Sequence, residues 1–160
     1  MIETVVESIR VSLVTQHRVV ILKEVSGERH LPIWIGPFEA EAIAMELQSM
    51  ASARPLPYDL IKTIIGDMGG VVQQVLVTDL SQDVFYARIV IDQDGKTIEI
   101  DSRPSDAIAL AVRYGGSIPI FADEAVLEEA GVLFEADEEE QEVAQFREFL
   151  DSVTPEDFAQ

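Results

Sequence analysis

The chain contains no cysteine, which excludes disulfide bonds, thiolate zinc sites, iron–sulfur clusters and a thiol nucleophile. It also has no apolar run approaching the roughly 18 to 20 residues that a membrane-spanning helix requires. The first ten residues carry acidic side chains beside Arg10, whereas a secretory signal begins with basic residues and continues into an apolar stretch. These absences predict a soluble cytoplasmic protein with no membrane partner.

Basic residues are scarce, because 11 lysines and arginines stand against 30 aspartates and glutamates, for a formal net charge of −19. Phosphate binding usually depends on a basic face, so this balance disfavours a nucleic-acid partner. The excess is uneven, since residues 121–160 carry 14 acidic residues and a single basic one, Arg147. Residues 1–120 carry 16 acidic and 10 basic residues, a balance that still permits a nucleic-acid partner.

The 160 residues are 48% hydrophobic, which is enough to form the core of one domain. Segments rich in β-branched residues predict strands over 4–14, 18–25, 30–35, 71–78, 84–91, 97–100 and 118–121. Helical spacing of apolar residues covers 38–51, 57–65, 104–114, 124–130 and 138–153. Because these segments do not alternate as βαβ units, we predict an α+β fold. It is a single domain with a mixed, mostly antiparallel sheet packed by helices, plus a C-terminal acidic helix.

Three local details sharpen this prediction. The segment 92–96, which contains Asp94-Gly95, is typical of a hairpin turn. Pro32 is expected at a sheet edge or a bulge, because proline cannot donate to a strand ladder. Trp34 lies in an apolar run and is expected in the core or in an interface.

Two segments combine Arg-Pro with a following aspartate, RPLPYD at 54–59 and DSRPSD at 101–106. Proline fixes the backbone where a helix begins and holds the neighbouring polar groups in a repeatable position. In the second segment Ser102 or Ser105 is suited to cap the helix. Arg103 and Asp106, three residues apart, are suited to pair on its surface. The polar residues of both segments therefore fit either helix caps and ion pairs or a functional site.

Three motifs in order carry a resemblance to a known family. They are HLPIWIG at 30–36 followed by Glu39-Ala40, Arg54-Pro55 with Asp59-Leu60, and DSRPSDAIALA at 101–111. Together they resemble the bifunctional nuclease domain family over about residues 3–132. The resemblance implies a single α+β domain, a homodimer, and nuclease activity on both DNA and RNA. It divides the chain into a bifunctional-nuclease-like domain at 1–132 and an acidic C-terminal helical extension at 133–160.

Phosphodiester cleavage requires an activated water, a group or metal ion that stabilises charge on the phosphoryl oxygens, and a way to hold the backbone. The matched motifs supply acidic candidates, both as catalytic residues and as ligands of Mg²⁺ or Mn²⁺: Glu39, Asp59, Asp101 and Asp106. Arg54, Arg103 and Ser105 are the candidate substrate-binding residues, since a guanidinium can grip two phosphate oxygens at once. His30 is a candidate general base, and it also fits a hydrogen-bonded strand residue.

Two functions stay open at this point. The first is a metal-assisted nuclease of low sequence specificity that acts on DNA and RNA. The second is a non-catalytic dimeric regulatory module that binds an anion or a partner carboxylate through Arg54 and Arg103, which the negative net charge favours. A homodimer is expected in both cases, because short strands such as 30–35 leave apolar edges that a symmetric partner can cover.

Overall fold

The computed structural model of the protein describes residues 1–134. The strands are β1 (Ile2–Val11), β2 (Arg18–Glu24), β3 (Arg29–Ile35), β4 (Gly70–Ser81), β5 (Val84–Gln93), β6 (Lys96–Ser102), β7 (Ile120–Ala122) and β8 (Val132–Leu133). The helices are α1 (Pro37–Leu47), α2 (Pro57–Asp67), α3 (Pro104–Ala111) and α4 (Glu124–Ala130). A 3₁₀ turn at Val112–Tyr114 follows α3. The predicted segments that fall within residues 1–134 are confirmed in order and type, and β8 is an addition that the pattern did not predict.

All of these strands form one sheet of eight, in the order β6-β5-β4-β7-β1-β2-β3-β8. Neighbouring strands pair antiparallel except for β4 and β7, which run parallel. The prediction of an α+β domain with a mixed, mostly antiparallel sheet is therefore confirmed. The predicted acidic helix over 138–153 lies outside the described residues. Within the described part of the chain, no helix is long and apolar enough to cross a membrane.

The predicted turn between β5 and β6 is a two-residue hairpin turn. Asp94 and Gly95 both have positive φ, of 51° and 79°, as the tight turn that matches the strand twist requires. The connection between β4 and β5 is equally short, and its residues Gln82 and Asp83 also have positive φ. The sequence pattern predicts no specific turn type for this second connection, because neither residue is a glycine.

The edge position predicted for Pro32 agrees with the strand pairing. Pro32 lies in β3 opposite Ile21 of β2. On its other side β3 pairs with β8 only at Arg29 and His30, so the ladder ends before the proline. Trp34, two residues further on, is 61% exposed. It therefore lies outside the core of the described chain, and its position is compatible with an interface.

The core is centred on α3. Its residues from Ala107 to Ala111 are all buried, and the helix packs against β4 and β5 on the sheet. The helices α1 and α2 both contact α3, and α1 also contacts the 3₁₀ turn that follows it. An apolar helix at this central position brings the first turns of its two neighbours close to its own N-terminus. This packing assembles the polar residues described next.

Candidate functional site

Three helices of the described chain begin in the same way, with a proline followed two positions later by an acidic residue. These pairs are Pro37 and Glu39 in α1, Pro57 and Asp59 in α2, and Pro104 and Asp106 in α3. Proline has the φ angle that the first helical position needs, and a carboxylate in the first turn interacts well with the positive end of the helix dipole. The same local chemistry therefore places one carboxylate at the start of each helix.

Arg103 joins two of these carboxylates. Its Nε donates to Oδ2 of Asp106 at 2.8 Å and its Nη2 donates to Oδ1 at 3.0 Å, which is a bidentate pair. The same Nη2 also donates to Oε1 of Glu39 at 2.8 Å. The predicted pair between Arg103 and Asp106 is confirmed, and the contact with Glu39 extends it across α1 and α3.

The capping role expected of the serines is wrong in this structure. The residue that precedes α3 is Arg103, and no side chain caps the helix there. Ser102 Oγ instead donates to the carbonyl of Arg103 at 2.8 Å. Ser105 is buried within the first turn. The ion pair of Arg103, rather than a hydroxyl, organises the start of this helix.

Tyr58 of α2 adds a third helix to the cluster. Its hydroxyl donates to Oδ1 of Asp106 at 2.8 Å. Burial tends to raise the pKa of the Asp106 carboxyl, but the hydrogen bonds from Arg103 and Tyr58 outweigh it and leave the pKa below its usual range. Burial and the same hydrogen bond raise the pKa of the Tyr58 hydroxyl. Asp106 is therefore held as the ionised acceptor and Tyr58 as the neutral donor.

Arg113 ties the three helices together from below the surface. Its side chain is only 2% exposed, and its Nε donates to Oδ1 of Asp59 at 3.0 Å. Nη1 donates to the carbonyl of Ala109 at 2.6 Å, and Nη2 donates to that of Ala42 at 3.4 Å. The guanidinium also lies over the ring of Tyr58, 5.2 Å from its centroid. Sequence analysis missed Arg113, although its position directly after the apolar run 107–112 was a signal of burial and pairing.

The remaining predicted site residues lie apart from this cluster. His30 is buried in β3, where its Nε2 is 3.2 Å from Oε2 of Glu7 and its ring contacts that of Phe134. Asp101 is exposed on β6, where it pairs with Arg88 in the strand ladder, and its side chain makes no hydrogen bond or ion pair with any described residue. Arg54 lines a cleft beside α2. Of the eight candidates, Glu39, Arg103 and Asp106 come into direct contact.

The donor set does not fit the predicted Mg²⁺ or Mn²⁺ ion in this arrangement. Over residues 1–134, no three acidic or histidine side chains converge in a way that could hold a metal ion. Glu39 and Asp106 do approach one another, but both accept hydrogen bonds from Arg103. Asp59 is paired with Arg113. The positive charge that these carboxylates bind is thus a guanidinium.

Comparison with known proteins shows which family this chain resembles. A family model described as the bifunctional nuclease domain matches residues 20–135. An uncharacterized protein of Mycobacterium tuberculosis is 45% identical over 164 residues, which cover 98% of this chain and 97% of that protein. Bifunctional nuclease 1 of Arabidopsis thaliana is 32% identical over 108 residues, which cover 65% of this chain and 33% of that protein. Bifunctional nuclease 1 of Oryza sativa subsp. japonica is 30% identical over 100 residues, 61% of this chain and 30% of that protein. The chain thus spans about a third of these plant proteins.

Replacing Asp106 by asparagine should make stability less sensitive to acid. Because folding lowers the pKa of Asp106 from its ordinary value of 3.8, the ionised carboxylate stabilises the fold above that pH. The contribution is lost as the pH falls through the lowered pKa. Urea unfolding from about pH 7 to about pH 2 should therefore show a lower free energy of unfolding for Asp106→Asn than for wild type. This difference should disappear as the pH falls below about 4.

The matched control is Asp67→Asn, which removes an exposed carboxylate that makes no hydrogen bond to a described residue. Its free energy of unfolding should stay close to that of wild type at every pH. If the difference between Asp106→Asn and wild type kept its full size at the lowest pH, the pairing of Asp106 with Arg103 and Tyr58 would be contradicted.

Proposed function

This chain belongs to the bifunctional nuclease domain family, and we propose that it hydrolyses phosphodiester bonds of DNA and RNA with low sequence specificity. The observation that supports this proposal most directly is the setting of Arg103. Two carboxylates hold its Nε and Nη2, while its side chain is 65% exposed. Its Nη1 makes no hydrogen bond with any described residue and can therefore donate to a phosphate oxygen.

A fixed guanidinium with one free N–H edge is suited to stabilise charge on a phosphoryl oxygen. Such a donor acts best when its position is set before the reaction, because no reorganisation is then needed as charge develops. The bidentate pair with Asp106 supplies this orientation, and Tyr58 orients Asp106 in turn. In this proposal Arg103 is a catalytic residue, and Asp106 and Tyr58 are positioning residues.

Glu39 is the proposed general base. Its Oε1 accepts from Arg103, and its Oε2 makes no hydrogen bond with a described residue. In the proposed step Oε2 takes a proton from a water molecule whose oxygen bonds to phosphorus. The phosphorus–oxygen ester bond breaks, and the leaving oxygen takes a proton from solvent. The proposed step involves side chains of this chain and water, and dependence on Mg²⁺ or Mn²⁺ stays a prediction from the sequence.

A second candidate function is favoured by the charge of the cluster. Glu39 and Asp106 together carry one more negative charge than Arg103 neutralises, and this excess opposes the approach of a phosphate. In that case these contacts only stabilise the fold, and the chain is a non-catalytic module that binds an anion or a partner carboxylate away from the cluster, through Arg54. The two functions differ in whether removal of Arg103 abolishes a reaction.

Cleavage of labelled single-stranded and double-stranded DNA and RNA tests the nuclease proposal. With protein purified to homogeneity, Arg103→Gln and Glu39→Gln should each lower the rate by roughly 100-fold or more. The control Arg88→Gln removes an exposed arginine from β5 and should keep the wild-type rate. Parallel reactions with magnesium, manganese or a chelator measure the dependence on a metal.

Loss of cleavage in both site variants, with the control unaffected, would support the proposal. Cleavage that survives in Arg103→Gln would assign the activity to another site or to a contaminant. Absence of cleavage by wild type under every metal condition would favour the non-catalytic module.

A second test moves Glu39 without removing any functional group. A Cβ at Gly36 would overlap Oε2 of Glu39, so Gly36→Ala should displace the carboxylate. The backbone at this position has φ −72°, which alanine adopts readily. We expect cleavage to fall roughly tenfold or more, with a change in the free energy of unfolding of about 1 kcal/mol or less.

The control for this variant is Gly66→Ala in α2, where an added Cβ meets no atom within 4 Å. It should retain the wild-type rate. Equal rates for Gly36→Ala and wild type, with the Glu39 carboxylate shown to have moved, would remove Glu39 from the reaction.

A homodimer is also part of the proposal. No residue of α2 is buried. The apolar side chains of Leu60 and Ile64, with that of Met68 directly after the helix, are spaced by four residues and form an exposed stripe. A stripe of this kind is typical of a surface that packs against a partner. In sedimentation at micromolar concentration, wild type should have the mass of a dimer, twice the 17.7 kDa of the chain. The Ile64→Glu variant should have the mass of a monomer. A wild-type species of 17.7 kDa alone would contradict the dimer.

A further inference from the structure

A cleft of about 380 Å³ lies beside α2, on the side of the segment that connects it to α1. Its size is within the range of small-ligand sites, about 300 to 1,000 Å³. Its wall includes Met45, Met50, Leu56, Arg54 and Arg113, together with the carboxylates of Glu46 and Asp59. Apolar side chains and a guanidinium thus meet in one concave surface.

Arg54 differs from the other arginines of this region. It is exposed and makes no hydrogen bond or ion pair with any described residue. Arg103 and Arg113, in contrast, each have a carboxylate partner within 3.0 Å. A cation in a cleft wall that has no carboxylate partner among residues 1–134 is suited to bind an anion, and a guanidinium matches the geometry of a phosphate.

The apolar part of the wall is suited to contact an aromatic ring. Met45, Met50 and Leu56 line it, and Met50 is exposed. The polarisable thioether of methionine makes favourable contacts with aromatic rings. A flat ring beside a phosphate is the combination found in a nucleotide, so the chemistry of the two halves of the wall points to one ligand class.

The cleft adjoins the Arg103 cluster through a single side chain. Arg113 lines the cleft and lies over the ring of Tyr58, whose hydroxyl donates to Asp106 at 2.8 Å. Asp106 in turn pairs with Arg103. This series of contacts links the cleft to the Arg103 cluster, which is the proposed site of cleavage.

We infer that this cleft is a nucleotide subsite, in which Arg54 binds a phosphate and Met45 and Met50 contact one unpaired base. The inference rests on the proposed nuclease function and specifies its substrate, which is single-stranded nucleic acid. A base within a duplex is stacked and paired, and it must leave the helix before it can enter such a cleft.

Binding is measured by fluorescence anisotropy of a labelled short single-stranded oligonucleotide and of its duplex. The full chain carries Glu39→Gln throughout, so that the probe stays intact. Three further changes are compared in this background: Arg54→Gln, Met50→Gln, and the control Arg88→Gln, which removes an exposed arginine from another part of the sheet.

Arg54→Gln should weaken single-strand binding about tenfold. It should also reduce the slope of log K against log salt by about 0.7, the contribution of one phosphate contact on a single strand. Met50→Gln should weaken binding about fivefold with no change of slope, because it removes a contact with the base. The control should match the parent, and the duplex should bind more weakly than the single strand.

Equal affinity of the Arg54→Gln variant and the Arg88→Gln control would overturn the subsite, as would equal affinity for duplex and single strand. Displacement of the probe by inorganic phosphate as readily as by a nucleoside monophosphate would also overturn it, because the base would then contribute nothing.

These outcomes are separate from those of the cleavage assay. Binding that depends on Arg54, without cleavage by wild type, would leave the subsite in place and remove the nuclease function. Cleavage by wild type, together with binding that does not change in Arg54→Gln, would support the nuclease function and overturn the subsite.

Discussion

The buried guanidinium of Arg113 is the constraint on which the site depends. A charged group removed from water costs several kcal/mol unless its hydrogen bonds are met, so its partners cannot be placed loosely. These partners come from three helices: the carboxylate of Asp59 and the carbonyls of Ala109 and Ala42. Satisfying Arg113 therefore fixes α2 against α1 and α3. That placement sets Tyr58 under the guanidinium, and through Tyr58 it sets Asp106 and Arg103.

The repeated helix start explains why three carboxylates are available and why they behave differently. A proline followed by an acidic residue two positions later gives α1, α2 and α3 the same local structure. What differs is the arginine that each acid meets. Asp59 pairs with the buried Arg113, whereas Glu39 and Asp106 share the exposed Arg103. Arg113 is thus fully engaged in stabilising the fold, whereas Arg103 keeps N–H donors that face solvent.

Sequence was informative wherever the determining contact is local. The periodicity of apolar residues, the Asp94-Gly95 turn and the pair between Arg103 and Asp106, three residues apart, all follow from neighbours along the chain. The contacts that complete the site join residues 64 and 54 positions apart, Glu39 with Arg103 and Asp59 with Arg113. No local pattern specifies such pairings, because they depend on how α3 packs against its neighbours. For the same reason the motifs could not separate Asp101, which lies outside the cluster, from Asp106, which lies inside it.

The acidic composition bears on how such a site can act. At physiological salt, charges farther than about 8 Å from a bound phosphate are largely screened, so the total charge of −19 mainly slows encounter with a polyanion. Affinity then depends on the few cations within contact distance. Arg103 and Arg54 are the two arginines of this region that are described above as keeping N–H donors outside an ion pair. With the proposed function, such a chain would bind a short stretch of strand through few phosphates. It must obtain the rest of its affinity from contacts that do not involve charge, and the methionine wall of the cleft is where the described structure offers them.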